Sequence, residues 1–94
     1  MKVNAMPREN DVELDHQVRE VLRDVLSLGP RAERLVGDAP LLGAVPELDS
    51  MAVASVIAAL EDRFGITVDD DEISGATFET FASLVAFVAG KTGG

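Results

Sequence analysis

The 94-residue chain contains no cysteine, no tryptophan and no tyrosine. Without thiols it can form no disulfide, no thiolate metal site and no nucleophilic thiol of its own. Aromatic residues make up 4% of the chain against 47% hydrophobic residues, so a core must be assembled from Val, Leu, Ile, Ala and a few Phe. Such a core favours helices packed closely on helices. Basic residues are also scarce: 8 Lys and Arg stand against 17 Asp and Glu, for a formal charge of −9. A chain this acidic repels nucleic acid and anionic membrane and suits partners that carry basic patches. No apolar run reaches transmembrane length, and the start "MKVNAMPRENDVELDH" lacks a signal-peptide core, which predicts a cytoplasmic protein without membrane insertion. The length suits one domain with a single modest core.

Residues 1–12 are polar and read as a flexible leader, residues 13–90 as the domain, and residues 91–94 as a flexible tail. A first helix is expected from Glu13 to about Leu28. Leu14, Val18, Val21, Leu22, Val25 and Leu26 recur at three- and four-residue steps on one face, with Arg19, Glu20, Arg23 and Asp24 on the other. Gly29 and Pro30 are expected to stop it. From Gly29 to Asp49 come three glycines and three prolines among scattered apolar residues, a long loop pinned to the core. Connections of about twenty residues are uncommon in compact domains and usually functional. A second helix, "SMAVASVIAALEDRF", runs from Ser50 to Phe64. At about 100° per residue it places Val53, Val56, Ile57, Leu60 and Phe64 inside, and Met51, Ser55, Ala58 and Asp62 outside. "DDDEIS" suits one short helical turn, and a last helix is expected from Phe78 to about Ala89, with Phe81, Leu84, Val85 and Val88 inward. The resulting fold class is all-α, four helices with the third very short.

Ser50 follows two acids in "VPELDSMAV" and opens the second helix. A hydrolytic serine needs a base and an oxyanion hole. The single histidine, His16, lies among charged residues at the start of the first helix, and a carboxylate such as Asp49 is a poor base for a hydroxyl. No catalytic residue is therefore assigned. Two readings of Ser50 stay open: Asp49 and Ser50 are simply helix caps, or Ser50 accepts a phosphate ester beside the positive end of the helix.

The stretch "ELDSMAVASVIAALEDRFGITVDDDEI" resembles the central motif of acyl carrier proteins, and "TFETFASLVAFV" resembles that family's last helix. The similarity covers about residues 13–90. The resemblance implies a four-helix bundle of acyl-carrier-protein type, with a long loop between the first two helices and a short third helix. It also implies that Ser50 carries 4′-phosphopantetheine, transferred from coenzyme A by a phosphopantetheinyl transferase, with Asp49 and Met51 as its motif neighbours. Such a freestanding, monomeric carrier would not be an enzyme. It would hold acyl groups as thioesters for acyl-loading, acyl-processing or acyltransferase enzymes in fatty acid or polyketide biosynthesis. The recognition face implied for those partners comprises Asp49, Met51, Ser55, Ala58, Glu61 and Asp62. Where the family often has acids in the first two turns of this helix, the chain has Ala52, Ala54 and Ser55. That departure predicts partner contacts that are partly apolar and a specialised pathway. "LLGAVPELDSMAV" is similar, further, to carriers encoded beside exopolysaccharide and exosortase systems.

Other readings compete. A peptidyl, aryl or D-alanyl carrier shares the fold and the serine but more often shows a glycine-rich "GG-x-S" approach, where this chain reads "ELDSM". An unmodified helical interaction module would make Ser50 dispensable. The acids Asp69 to Glu72 lack the alternating ligands, glycine and closing glutamate of a calcium loop. They read as a solvated helix start, with no metal assigned. Ala59 on the second helix and Ala82, Ala86 and Ala89 on the last either leave room for an acyl chain or permit close helix packing.

Overall fold

The computed structural model describes residues 9–92, with the side chains of 13–92 except that of Asp70. Three α-helices dominate: α1 (Glu9–Leu26), α2 (Ser50–Phe64) and α3 (Phe81–Lys91). Short 3-10 turns occupy Gly29–Arg34, Asp70–Glu72 and Gly75–Phe78. Among the described residues there is no strand, only an isolated antiparallel bridge between Pro40 and Thr80. The all-α bundle is as expected, with its short third element divided between the last two 3-10 turns. Residues 1–8 of the expected leader and 93–94 of the expected tail lie outside the described residues.

Apolar spacing positions the core. Val18, Val21, Leu22 and Leu26 of α1 meet Val56 and Leu60 of α2 and Phe81, Leu84 and Val88 of α3, all buried. Burying a side chain of this kind contributes about 1.5–3 kcal/mol. Leu14, Val25, Val53, Ile57, Phe64 and Val85 are half-buried at its margin.

Helix boundaries differ from expectation in three places. α1 begins at Glu9 rather than Glu13, because a helix can start in polar sequence ahead of its first core contact. It ends at Leu26 rather than Leu28. Ser27 adopts a left-handed φ of 54°, and the Leu28 N–H donates to Arg23 O at 3.0 Å. That turn sends Leu28 into the core instead of further along the helix. α3 begins at Phe81 rather than Phe78 and continues to Lys91. Ser74 and Thr77 close one capping box, and Thr80 and Ser83 close the next, so the chain makes a separate turn before the helix.

The Gly29–Asp49 loop is pinned as expected and more ordered than a bare connection. Ala32, Leu35, Leu41 and Leu48 are buried. Its carbonyls also serve α3: Phe81 N–H donates to Ala39 O and Ala82 N–H to Gly37 O, each at 2.8 Å. These bonds satisfy first-turn donors that a helix cannot satisfy itself. In return Leu41 N–H donates to Glu79 O at 3.0 Å and Leu42 N–H to Phe78 O at 3.1 Å. Arg19 and Glu20, expected on the solvent face of α1, are half-buried ties. Arg19 Nε donates to Leu35 O at 2.9 Å while its guanidinium lies 5.2 Å from the Phe81 ring centre, and Glu20 pairs with Arg63 of α2.

Candidate functional site at the start of α2

The loop ends at buried Leu48, and the next residue starts the helix. Asp49 has extended backbone angles, and its Oδ1 accepts the Ala52 N–H at 2.8 Å, which makes it the N-cap. Ser50 is the first residue of the helix and is exposed. Among the described residues no group hydrogen-bonds to its hydroxyl. The cap is therefore Asp49, and no described group engages Ser50 Oγ, a primary hydroxyl at the first helical position.

Met51 follows with 81% of its surface exposed, the most exposed of the large apolar side chains among the described residues. Asp49, Ser55, Ala58 and Asp62 are also exposed, while Val56 and Leu60 on the opposite side are buried. Glu61 behaves differently from Asp62. It is half-buried, and its Oε2 accepts the Val68 N–H at 2.8 Å, bracing the segment that follows the helix. Gly65 makes that return possible with a left-handed φ of 65°, and Ile66 N–H closes onto Glu61 O at 3.1 Å.

Two grooves meet at Ser50. One, of about 440 Å³, follows α2 past Val53, Ala54, Ile57 and Ala58 to Glu61, with Val68 and Ile73 as its far wall. The other, of about 390 Å³, passes Leu42, Ile73, Ser74 and Gly75 to Phe78. Leu42, Val68 and Ile73 were not foreseen as site residues. Val68 and Ile73 flank the acidic run Asp69–Glu72, whose charge masks them in the sequence, and only the turn at Gly65 brings them beside α2.

His16 lines neither groove. It is exposed on α1, with Nε2 3.1 Å from Glu20 Oε2. The acidic run is held by a cation: Lys91 Nζ lies 2.8 Å from Glu72 Oε1 and 3.0 Å from Oε2, and Glu72 Oε2 also accepts the Asp69 N–H. Those bonds, the Lys91 contact foremost, hold the Glu72 carboxyl below its ordinary value. Ala82, Ala86 and Ala89 do not face Ala59. They line a groove against Leu14, Asp15 and Gly37, because α3 packs beside α1.

The phosphopantetheine attachment site family matches residues 16–88, more than half of the chain. A solved structure that the chain is similar to is the solution structure of a holo acyl carrier protein from Nitrosomonas europaea. The two share 54% identity and superpose with a TM-score of 0.79, over 87% of this chain and 98% of that one. No curated protein sequence matches. With the family match spanning α1 to α3 and that degree of identity, the chain belongs to the phosphopantetheine-binding carriers, the acyl carrier protein family.

Proposed function

We propose that this protein carries acyl groups on a 4′-phosphopantetheine arm attached to Ser50 and presents them to partner enzymes without catalysing their conversion. The observation that carries this reading is the exposed, unengaged hydroxyl of Ser50 immediately after a helix cap supplied by its neighbour. The residues present fit the group. A phosphate ester needs a primary hydroxyl, and at the first helical position its anionic oxygens lie beside first-turn N–H groups, where an anion is favoured by about 0.3–1 kcal/mol. When bound, the arm supplies a terminal thiol that holds cargo as a thioester. The chain has no cysteine to compete with that thiol.

In the loading step the Ser50 Oγ–P bond forms as the pyrophosphate P–O bond of coenzyme A breaks. Adenosine 3′,5′-bisphosphate leaves, and the hydroxyl proton passes to a base on the transferase. Asp49 is suited to holding the helix start rather than to taking that proton, since one of its carboxylate oxygens already accepts the Ala52 N–H. Drawing on coenzyme A, the step belongs in the cytoplasm. No described helix is long and apolar enough to cross a membrane.

Partners dock on the outer face of α2. Met51, Ser55 and Ala58 form its apolar and small centre, and Asp49, Glu61 and Asp62 give it acidic ends that attract basic patches. Of the acids, Asp62 is exposed, whereas Glu61 is shared with the Val68 backbone. This composition supports service in a specialised pathway, and efficient exchange with every housekeeping fatty acid synthesis enzyme would oppose it.

Intact mass before and after incubation with coenzyme A and a broad-specificity phosphopantetheinyl transferase tests the attachment. A gain of one phosphopantetheine that is absent in Ser50→Ala is expected. Absence of the gain in folded wild-type protein, with the native host's transferases as well, would sink the reading. Loading followed by acceptance of amino-acyl but not fatty-acyl groups would make it a peptidyl or D-alanyl carrier instead.

A further inference from the structure

A groove of about 500 Å³ runs between α1 and the Gly29–Arg34 turn, and no residue of α2 lines it. Its chemistry differs from that of the outer face of α2, where Asp49, Glu61 and Asp62 supply the charge. We infer that this groove is a second docking surface, fitted to an acidic segment of a partner protein that sets a carboxylate on Arg19 and Arg23 and an apolar side chain on Val36.

The arginines carry the argument. Residues four apart share a helix face, so Arg19 and Arg23 stand side by side along the α1 wall. Arg19 is half-buried and already oriented: its Nε donates to Leu35 O at 2.9 Å, and its guanidinium lies 5.2 Å from the Phe81 ring centre. Its two Nη groups bond to no described residue, which leaves unused donors on a planar fork whose rotamer freedom is already lost. Arg23 is held only loosely, by an exposed 3.4 Å contact with its neighbour Asp24. Contacts of that kind contribute little, so Arg23 is available to a better placed carboxylate.

The acids of the groove do not answer Arg19. Glu20 is occupied on both oxygens, by Arg63 on Oε1 and by His16 on Oε2. Glu33, on the opposite wall, forms no ion pair with a described residue. In a chain with 17 acids against 8 bases, a half-buried guanidinium without a described carboxylate partner points to one supplied from outside.

Charge also selects the partner. An acidic segment is repelled by the chain as a whole and gains only where these guanidiniums face it, whereas a basic patch is drawn to α2. Val36, 53% exposed, adds apolar surface beside them, and arginine next to apolar surface is a composition favoured at interfaces. A protein held here leaves Ser50 and the outer face of α2 open, so one partner tethers the carrier while another acts on it.

The test titrates a short synthetic peptide of alternating Glu-Glu and Leu into 15N-labelled full-length protein. Saturable shifts are expected at Arg19 Nε–H, Arg23 and Val36, with Met51 and Asp62 unmoved, and they should weaken with added salt. Arg23→Gln, exposed and outside the core, should weaken binding about 2–5-fold, the effect of one exposed ion pair. Arg19→Lys, which keeps the charge and loses the fork, should weaken it further, with folding of both variants confirmed by circular dichroism. Ser50 should load from coenzyme A equally fast with the peptide bound. No saturable shifts, shifts gathered elsewhere, or unchanged binding by both variants would overturn the inference. The same shifts from inorganic phosphate would overturn it in favour of a simple anion site, and from raised protein concentration alone in favour of a second copy as occupant. Slower loading with the peptide bound would count against a surface separate from α2. Failure of Ser50 to load even without the peptide bears on the attachment reading alone and leaves the shift map to decide this one.

Discussion

Exchanging the roles of two adjacent residues gives the sharpest test of how α2 starts. Asp49 Oδ1 accepts the Ala52 N–H at 2.8 Å, whereas the Ser50 hydroxyl bonds to no described group. Replacing a capping Asp by Ala costs about 0.5–2 kcal/mol, typically about 1. For a domain of this size each kcal/mol moves the melting temperature by roughly 4–8 °C. Asp49→Ala should therefore lower the melting temperature by about that amount, and the urea midpoint should fall without a change in slope. Asp49→Asn retains the acceptor and loses the charge, so it should recover most of the loss, apart from the few tenths of a kcal/mol that a negative charge contributes near a helix start. Ser50→Ala removes no intramolecular bond and leaves no buried cavity, so its change should stay within about 0.5 kcal/mol. Paired thermal and urea denaturation of apo protein, followed by circular dichroism, measures all three variants. If Ser50→Ala is destabilised as much as Asp49→Ala, the serine is the cap and its hydroxyl is not free.

Further consequences are open to measurement. Ser27 holds a left-handed conformation at the end of α1, which costs a residue with a Cβ roughly 1–2 kcal/mol, so Ser27→Gly should raise the melting temperature by a few degrees despite glycine's entropy; a lower value would contradict the strain. Glu61→Ala should speed amide hydrogen exchange at Val68 with little effect at Leu84, and Glu61→Gln, which keeps an acceptor, should restore protection; equal protection in all three would remove the brace. The Glu72 carboxyl is held below its ordinary value of 4.5, first by its hydrogen bond from Lys91. A depressed folded value favours the folded state above the unfolded pKa and loses that contribution as pH falls through the folded one. Acid titration below about pH 4.5 should therefore show a shallower loss of stability in Lys91→Met than in wild type, and identical slopes would refute the pairing.

Much of the helical framework was legible in the residues because a period of 3.6 is a local property. Leu22, Val56, Leu60 and Leu84 could be assigned to the core from spacing alone, and the bounds of α2, Ser50 and Phe64, follow from a capping residue before it and a glycine after it. Capping between neighbours was ambiguous, since Asp and Ser are equally good N-caps and only backbone angles select one. The start of α3 was misread for a similar reason: two capping boxes in succession, at Ser74 and Thr80, look in sequence like one polar approach to a helix.

What the sequence determined by itself was the class of fold, the acidic character and the serine at the head of α2, all consequences of composition and short-range pattern. What only the tertiary structure decided was the setting of that serine. Val68 and Ile73 are distant from Ser50 along the chain and become its neighbours because Gly65 turns the backbone and Glu61 fastens it. Long-range placement of this kind depends on which surfaces pack together and on how far the chain must return, and neither is encoded in the periodicity of a single segment.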